Sequence, residues 1–193
     1  VAGDIGCYTL GCLDPLRGLD TSVAMGCSIG NAIGMAKAGE RKPVMATIGD
    51  STFLHAGLPP LIDAVYNDAN ITVLLLDNGI TAMTGMQPAI TQGLRVDGRK
   101  GNAVSLEGVV QGCGVKYLKV VDPFDTKNMI KTIKKAADYV TDPEGGIAVI
   151  ISRHPCVIGF KDAAIPEKIS VRVSDECNDC GFCRDRFECP AVF

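Results

Sequence analysis

Two oxygen-bearing residues stand out by their surroundings: Asp50, in Gly49-Asp50-Ser51, and Asn78, in Asp77-Asn78-Gly79-Ile80. Each follows a strand-length apolar run, Val44 to Ile48 and Ile71 to Leu76, and each opens a stretch of small or polar residues. A carboxylate and an amide oxygen are hard donors. Together with a backbone carbonyl and phosphate oxygens they make the octahedral set that Mg²⁺ prefers, at bonds of about 2.0–2.1 Å.

A second donor set lies near the end of the sequence. Cys177, Cys180, Cys183 and Cys189-Pro190 read C-x₂-C-x₂-C-x₅-C-P, against the C-x₂-C-x₂-C-x₃-C-P of bacterial ferredoxins. Three thiolates at this spacing wrap three corners of a 4Fe-4S cluster, and Gly181 permits the tight turn. Zinc is the rival occupant, although its sites usually present two separated pairs. The longer last gap leaves two readings open: Cys189 completes this cluster, or it serves a second one whose motif is not in the sequence. Cys7 and Cys12 are too far apart for a metal knuckle and read as small residues near the sheet top. His154 and Cys156 lack a companion pair and read as loop residues.

The elements that must hold Asp50 and Asn78 follow from the pattern between them. Ala56 to Asn67 reads as a helix, with Pro59-Pro60 near its start, where missing N–H groups cost little. Strand, helix, strand is a βαβ unit, so the strands should be parallel neighbours roughly 4.8 Å apart. Both residues then lie past the carboxyl ends of their strands, close enough to share one cation. The segment 52–57 reads as a loop. It contains His55, one of two histidines, for which a catalytic role at this end of the sheet and a structural role are both open.

The rest of the chain continues the alternation. Cys7 to Leu10 is expected to be a short first strand. Gly26 to Ala38 reads as a helix ended by Gly39. Gly26, Gly30 and Gly34 share one face, expected to pack closely on the sheet at Gly30 and Gly34, while for Gly26 to Ser28 both close packing and N–H contact with a phosphate are open. Pro88 to Asn102, with Arg95, Arg99 and Lys100, reads as a long loop, either a lid or a solvated surface. Ser105 caps a short helix, and Val115 to Val121 is a strand. Asp125 caps a helix to about Tyr139 with Met129, Ile130, Ile133, Ala136 and Ala137 on its apolar side, and Gly146 to Ser152 is the last strand. The fold class is therefore α/β, a doubly wound parallel sheet. The expected organisation is a main domain over 1–157, a connector over 158–174 and an iron–sulfur segment over 175–193.

Composition agrees. Of 193 residues, 47% are hydrophobic and 21% charged, as in ordinary globular domains. A net charge of −3 steers neither nucleic acid nor anionic membrane, and no apolar stretch approaches the roughly 20 residues of a membrane span. The nine cysteines, with long βα patterning, fit a reducing cytoplasmic setting better than a disulfide scaffold. The sequence opens on Val1 and almost inside a motif, and reads as a piece of a longer chain.

Gly49-Asp50 followed by Asn78 at this interval resembles the motif of thiamine diphosphate enzymes. Asp50-Ser51-Thr52-Phe53, the run from Asp77-Asn78 through Thr81-Ala82-Met83-Thr84-Gly85-Met86-Gln87, Gly3-Asp4-Ile5-Gly6-Cys7-Tyr8-Thr9-Leu10-Gly11 and the cysteine tail narrow the likeness. They resemble the 2-oxoacid:ferredoxin oxidoreductases, most closely the large-subunit branch that acts on indolepyruvate. The resemblance implies a thiamine diphosphate-binding fold with a short ferredoxin-like tail. It implies Mg²⁺ on Asp50, Asn78 and the Ile80 carbonyl, and diphosphate on Gly26, Cys27, Ser28, Ser51, Thr52 and Thr84. Gly49, Thr81 and Met83 would complete the cofactor site. The implied reaction is oxidative decarboxylation of an aryl pyruvate to an acyl-CoA, with a smaller partner subunit, coenzyme A, the 2-oxoacid and ferredoxin as partners. The glutamate that activates the cofactor would come from another domain. The rival reading is an iron–sulfur electron-transfer module whose α/β domain is only scaffold; a thiamine decarboxylase that does not use ferredoxin is a third, which the tail disfavours.

Overall fold

The computed structural model describes residues 1–160, 163 and 172–186. In chain order it contains β1 (Ala2–Gly3), β2 (Thr21–Ser22), α1 (Ser28–Lys37), β3 (Met45–Gly49) and α2 (Asp50–Thr52). A π-helical turn (Phe53–Gly57) leads into α3 (Leu58–Tyr66), followed by β4 (Thr72–Asp77) and the small hairpin of β5 (Ile80–Thr81) and β6 (Gln87–Pro88). Then come α4 (Leu106–Gly112), β7 (Tyr117–Val121), α5 (Thr126–Thr141), β8 (Ala148–Arg153) and α6 (Phe182–Asp185).

Six strands form one parallel sheet in the order β2-β1-β3-β4-β8-β7. The expected βαβ unit is present: β3 and β4 are parallel neighbours, with Met45 opposite Thr72 and Gly49 opposite Leu76. Alternate residues face opposite sides of a strand, and this divides the core in two. Ala46, Ile48, Val73, Leu75, Val149 and Ile151 pack under α1, α3 and α4. Leu74, Ala148 and Ile150 pack under α5 through Met129, Ile133, Ala136 and Val140. Asp125 accepts from the Asn128 N–H at 3.1 Å and Ser105 from the Gly108 N–H at 3.1 Å, so both expected caps are in place. The outermost position of the α5 stripe does not hold: Ile130 is half exposed.

Three sequence expectations are corrected. Cys7 to Leu10 is not a strand but part of a 3₁₀ helix, Cys7–Cys12. The Thr9 hydroxyl accepts from the Gly6 N–H and donates to the Asp4 carbonyl, each at 2.8 Å, and this local bonding curls the chain where a strand would need those groups for pairing. The segment 52–57 is not a loop: helix runs from Asp50 to Tyr66, with a widened turn just before Pro59 and Pro60. Neither proline can donate back along the helix, so the ladder changes register there instead of running through them. Gly57 makes room for the turn, because a Cβ on it would come within 2.8 Å of Phe53 and 3.0 Å of Ile48. The third correction concerns Gly30 and Gly34. A Cβ at either would meet nothing within 4 Å, so they are open positions and not close contacts with the sheet.

Among the described residues no helix is long and apolar enough to cross a membrane. Much of the expected connector, and Cys189, Phe187, Ala191, Val192 and Phe193 of the expected tail, lie outside the described residues.

Candidate functional site

The chain winds in opposite directions from β1: β2 lies on one side of it and β3 on the other. The connections leaving β1 and β3 therefore diverge, and a crevice opens at the carboxyl ends of the strands, the usual ligand position in such sheets. A cavity of about 260 Å³ occupies it. Its wall comes from three segments: Ile5 to Tyr8 after β1, Gly49 to Thr52 where β3 passes into helix, and a third that includes Asn78 and Ile80 to Thr84 after β4; Met25 and Leu76 complete it.

Asp50 is the charged group of this wall. Gly49 is extended and ends the strand, and Asp50 is the first residue of the helix that follows. Its side chain is nearly inaccessible, with the residue 2% exposed. Oδ1 accepts from the Ser51 N–H at 2.6 Å and Oδ2 from the Gly79 N–H at 2.9 Å. Burial pushes its pKa from 3.8 up to about 6 against the pull of these two N–H groups, with the nearby Asp77 carboxyl adding to the rise. Gly79 meets Asp50 from a left-handed conformation, φ +75°, which a side chain would strain. A Cβ there would also stand 2.9 Å from the Gln92 amide.

Asn78 shares the cavity wall with Asp50, and the Gly79 N–H that follows it donates to the Asp50 carboxylate. Asn78 Oδ1 accepts from the Ile80 N–H at 3.1 Å, a turn that fixes the side chain and leaves a second lone pair on the oxygen. Beyond it the β5–β6 hairpin carries Thr81, Met83 and Thr84 along the cavity edge. Met83 is exposed. The Thr84 hydroxyl donates to the Gln87 side chain at 2.6 Å. Tyr8, in the 3₁₀ helix after β1, places a buried hydroxyl beside the Gly49 backbone, and burial together with Asp4 raises its pKa.

The donor chemistry fits a hard cation with an anion beside it: the Asp50 carboxylate, the Asn78 amide oxygen and the Ile80 carbonyl, with Ser51, Thr52 and Thr84 on the same wall; the carbonyls of Asn78, Gly79 and Thr81 already accept from other N–H groups. No three His, Cys, Asp or Glu residues cluster as a metal-holding group among the described residues.

Two groups of sequence candidates fall elsewhere. Gly26, Cys27 and Ser28 do not line the cavity. Their N–H groups are already engaged: Gly26 donates to both carboxylate oxygens of Asp4 at 2.8 and 2.9 Å, Ser28 to Asp4 at 3.2 Å, and Cys27 to the Ala24 carbonyl at 3.2 Å. The expectation that these donors take phosphate is thus replaced by an internal carboxylate, wholly buried. His55 is exposed on the π turn and is not among the cavity-lining residues, because the helical register turns it outward. Asp4 and Tyr8, both inside the Gly3–Gly11 motif, were not singled out for a role by sequence reasoning.

Sequence reasoning also passed over an ion-pair chain at the same end of the sheet. Arg153, the last residue of β8, stands opposite Asp77. Its Nε donates to Asp77 Oδ2 at 2.6 Å, and Nη1 and Nη2 donate to Glu107 Oε1 and Oε2 at 2.7 and 3.0 Å. The pairing holds the Glu107 carboxyl down to about 2 and raises the guanidinium. The signal was present: Asp77 and Arg153 are each the first charged residue after a buried apolar run.

In the tail, Cys177, Cys180 and Cys183 are exposed free thiols and do not converge on one point as a metal-holding group; Cys189 lies outside the described residues. Phe182 is half exposed. Arg186 lies 3.8 Å from Asp14 of the segment between β1 and β2, an exposed pair.

Comparison with known proteins matches residues 4–151 to the family described as thiamine pyrophosphate enzyme, C-terminal TPP binding domain. The indolepyruvate oxidoreductase subunit IorA of Archaeoglobus fulgidus is 44% identical over 191 residues, covering 98% of this chain and 30% of that protein. The subunit of the same name from Thermococcus kodakarensis is 40% identical over 207 residues, with 98% and 31% covered. The chain thus spans less than a third of the length of these relatives. Among solved structures, the 2-oxoglutarate:ferredoxin oxidoreductase of Magnetococcus marinus, with 2-oxoglutarate, coenzyme A and succinyl-CoA bound, superposes with a TM-score of 0.67 at 19% identity, over 89% of this chain and 62% of that one. The thiamine diphosphate-dependent 4-hydroxybenzoylformate decarboxylase of Rhodococcus jostii gives 0.51 at 18% identity, over 69% and 25%. At these identities the superpositions speak for the fold.

Proposed function

This chain belongs to the family of C-terminal thiamine pyrophosphate (thiamine diphosphate) binding domains of thiamine pyrophosphate enzymes, and on that premise we propose that it is the cofactor-binding part of a 2-oxoacid:ferredoxin oxidoreductase acting on aryl pyruvates such as indolepyruvate. The observation that carries this reading is the meeting of buried Asp50 with Asn78 on the wall of one cavity, at the ends of adjacent parallel strands. When bound, thiamine diphosphate supplies the electron sink for decarboxylation.

The chain's own residues bind and orient. Asp50, Asn78 and the Ile80 carbonyl hold Mg²⁺, with Asp50 giving the charge. Gly49, Ser51, Thr52, Thr81 and Thr84, on the same cavity wall, would hold the diphosphate, and Met83 would supply an apolar contact to the cofactor. The cavity of about 260 Å³ is smaller than the roughly 300–1,000 Å³ of complete small-molecule sites, which suits a site closed by another domain of the full enzyme. The smaller partner subunit, coenzyme A, the 2-oxoacid and ferredoxin belong to that assembly. The spacing of Cys177, Cys180, Cys183 and Cys189 supports a 4Fe-4S cluster as the route by which electrons leave.

Calorimetry of thiamine diphosphate with Mg²⁺ on the intact enzyme, wild type against Asp50→Ala, tests the assignment. Loss of Mg²⁺-dependent binding with an unchanged circular dichroism spectrum is expected. Unchanged affinity would overturn it.

A further inference from the structure

The turn from Asp77 to Ile80 has two supports. One is the Asp50 carboxylate, which takes the Gly79 N–H. The other is the stretch 154–160, which follows β8 and leads toward the cysteine tail. The His154 N–H donates to the Asp77 carbonyl and the Cys156 N–H to the Asn78 carbonyl, each at 3.1 Å. The Cys156 carbonyl then accepts from the N–H groups of Gly159 and Phe160 at 3.1 and 2.9 Å, a turn that brings both residues back onto the cation loop. The Phe160 ring closes on Gly79, 3.5 Å from where a Cβ there would stand.

Gly159 makes the closest approach. A Cβ on it would come within 2.2 Å of Ile80 Cδ1 and 3.2 Å of Met86 Sγ. Met86 is half exposed and its flexible thioether can give way. Ile80 is 6% exposed and lines the cofactor cavity. Its displaced methyl would turn into that cavity, or the residue would move and take its carbonyl along. The hairpin sets the present direction of that carbonyl. Ala89 donates to the Gly79 carbonyl at 3.0 Å, so Ile80 and Pro88 are a non-hydrogen-bonded pair of the antiparallel ladder, and the Ile80 N–H and C=O both point away from β6. The N–H goes to Asn78 Oδ1. A shift of Ile80 therefore disturbs two of the three groups assigned to the cation, its own carbonyl and the Asn78 oxygen.

We propose that Gly159 is a positioning residue for the cation site: lacking a side chain, it lets the stretch after β8 seat against Ile80 and so fixes the Ile80 carbonyl and the Asn78 oxygen for Mg²⁺. This rests on the reading that Asp50, Asn78 and the Ile80 carbonyl take the cation. Linkage makes the support reciprocal, because a seated stretch that favours the bound cofactor must itself be favoured by cofactor binding. Occupation of the site is thereby coupled to the order of the chain that runs on to Cys177.

The test uses the full-length enzyme stripped of cofactor, with thiamine diphosphate binding measured by calorimetry in the presence of Mg²⁺. Gly159→Ala should weaken binding about tenfold with an unchanged circular dichroism spectrum. Ile80→Val removes the carbon that a Cβ on Gly159 would meet, and on that background Gly159→Ala should change the affinity by less than about twofold. Hydrogen exchange of the wild type is a second measurement that needs no variant to fold: Mg²⁺ and thiamine diphosphate should slow exchange in peptides covering 154–160 by about threefold or more. A role in packing alone would lower the unfolding temperature of Gly159→Ala and leave both cofactor affinity and the exchange of 154–160 unmoved, and that result would overturn the proposal. An equal loss of affinity on the wild-type and Ile80→Val backgrounds would overturn it too. An Asp50→Ala variant in the same series separates this from failure of the underlying reading, which would show as normal cofactor binding in Asp50→Ala.

Discussion

Asp50 should make the cofactor-free protein less stable as pH rises, opposite to the usual behaviour of a folded-state carboxylate. Its pKa is moved from 3.8 to about 6, mainly by burial. A raised folded-state value means that the proton is held more firmly in the folded chain than in the unfolded one. The favourable contribution is thus complete below about 3.8 and is lost as pH climbs to about 6. At about 1.4 kcal/mol per pH unit the full change comes to about 3 kcal/mol, an upper figure because the two N–H donors to the carboxylate remain in place. Glu107 does not obscure the window: its pKa is lowered to about 2, so the stability it adds is lost only as pH falls from about 4.5 toward 2. Urea unfolding of the cofactor-free chain between pH 4 and 7 reads the effect. Wild type should lose stability across this range relative to Asp50→Asn, which carries no titrating group at the position. Mg²⁺ and thiamine diphosphate should reverse the trend, because they require the ionised carboxylate, and their affinity should fall about tenfold per pH unit below about 6. Equal slopes in wild type and Asp50→Asn would refute the reasoning, and so would a slope of the opposite sign.

Two further outcomes follow from contacts described above. Asp4→Ala removes a buried carboxylate that accepts from Ile5, Gly26 and Ser28; it should cost about 2–4 kcal/mol in urea unfolding, and a loss under about 0.5 kcal/mol would mean that water replaces it. Cys180→Ser in the anaerobically prepared full-length enzyme should lower its iron content while Cys113→Ser, whose thiol is part-buried beside the main core, leaves it unchanged; full iron in the first, or lost iron in the second, would remove the tail from the cluster assignment.

What the sequence determined by itself was the placing of elements and of the residues at their ends. Two apolar runs with a helix between them favour one handed, parallel arrangement, so Asp50 and Asn78 were expected at the same end of neighbouring strands, and β3 and β4 are parallel neighbours whose ends bring both residues to one cavity. Ser105 and Asp125 capped the helices they precede because capping is settled within three or four residues. Partner choice across the chain was another matter. The N–H groups of Gly26 and Ser28 were legible as anion donors, but their anion is Asp4, over twenty residues earlier, brought there by β1. Helical spacing put Gly30 and Gly34 on one face, and only the tertiary structure shows that face to be open. His55 was placed near the right end of the sheet, but the widened turn before Pro59 decided which way it points. Asp77, Arg153 and Glu107 come from three elements separated by up to 76 positions and meet only when β8 inserts between β4 and β7. Local bonding and periodicity act over a few residues, whereas the pairing of charges and the direction of a side chain are set by which strands become neighbours.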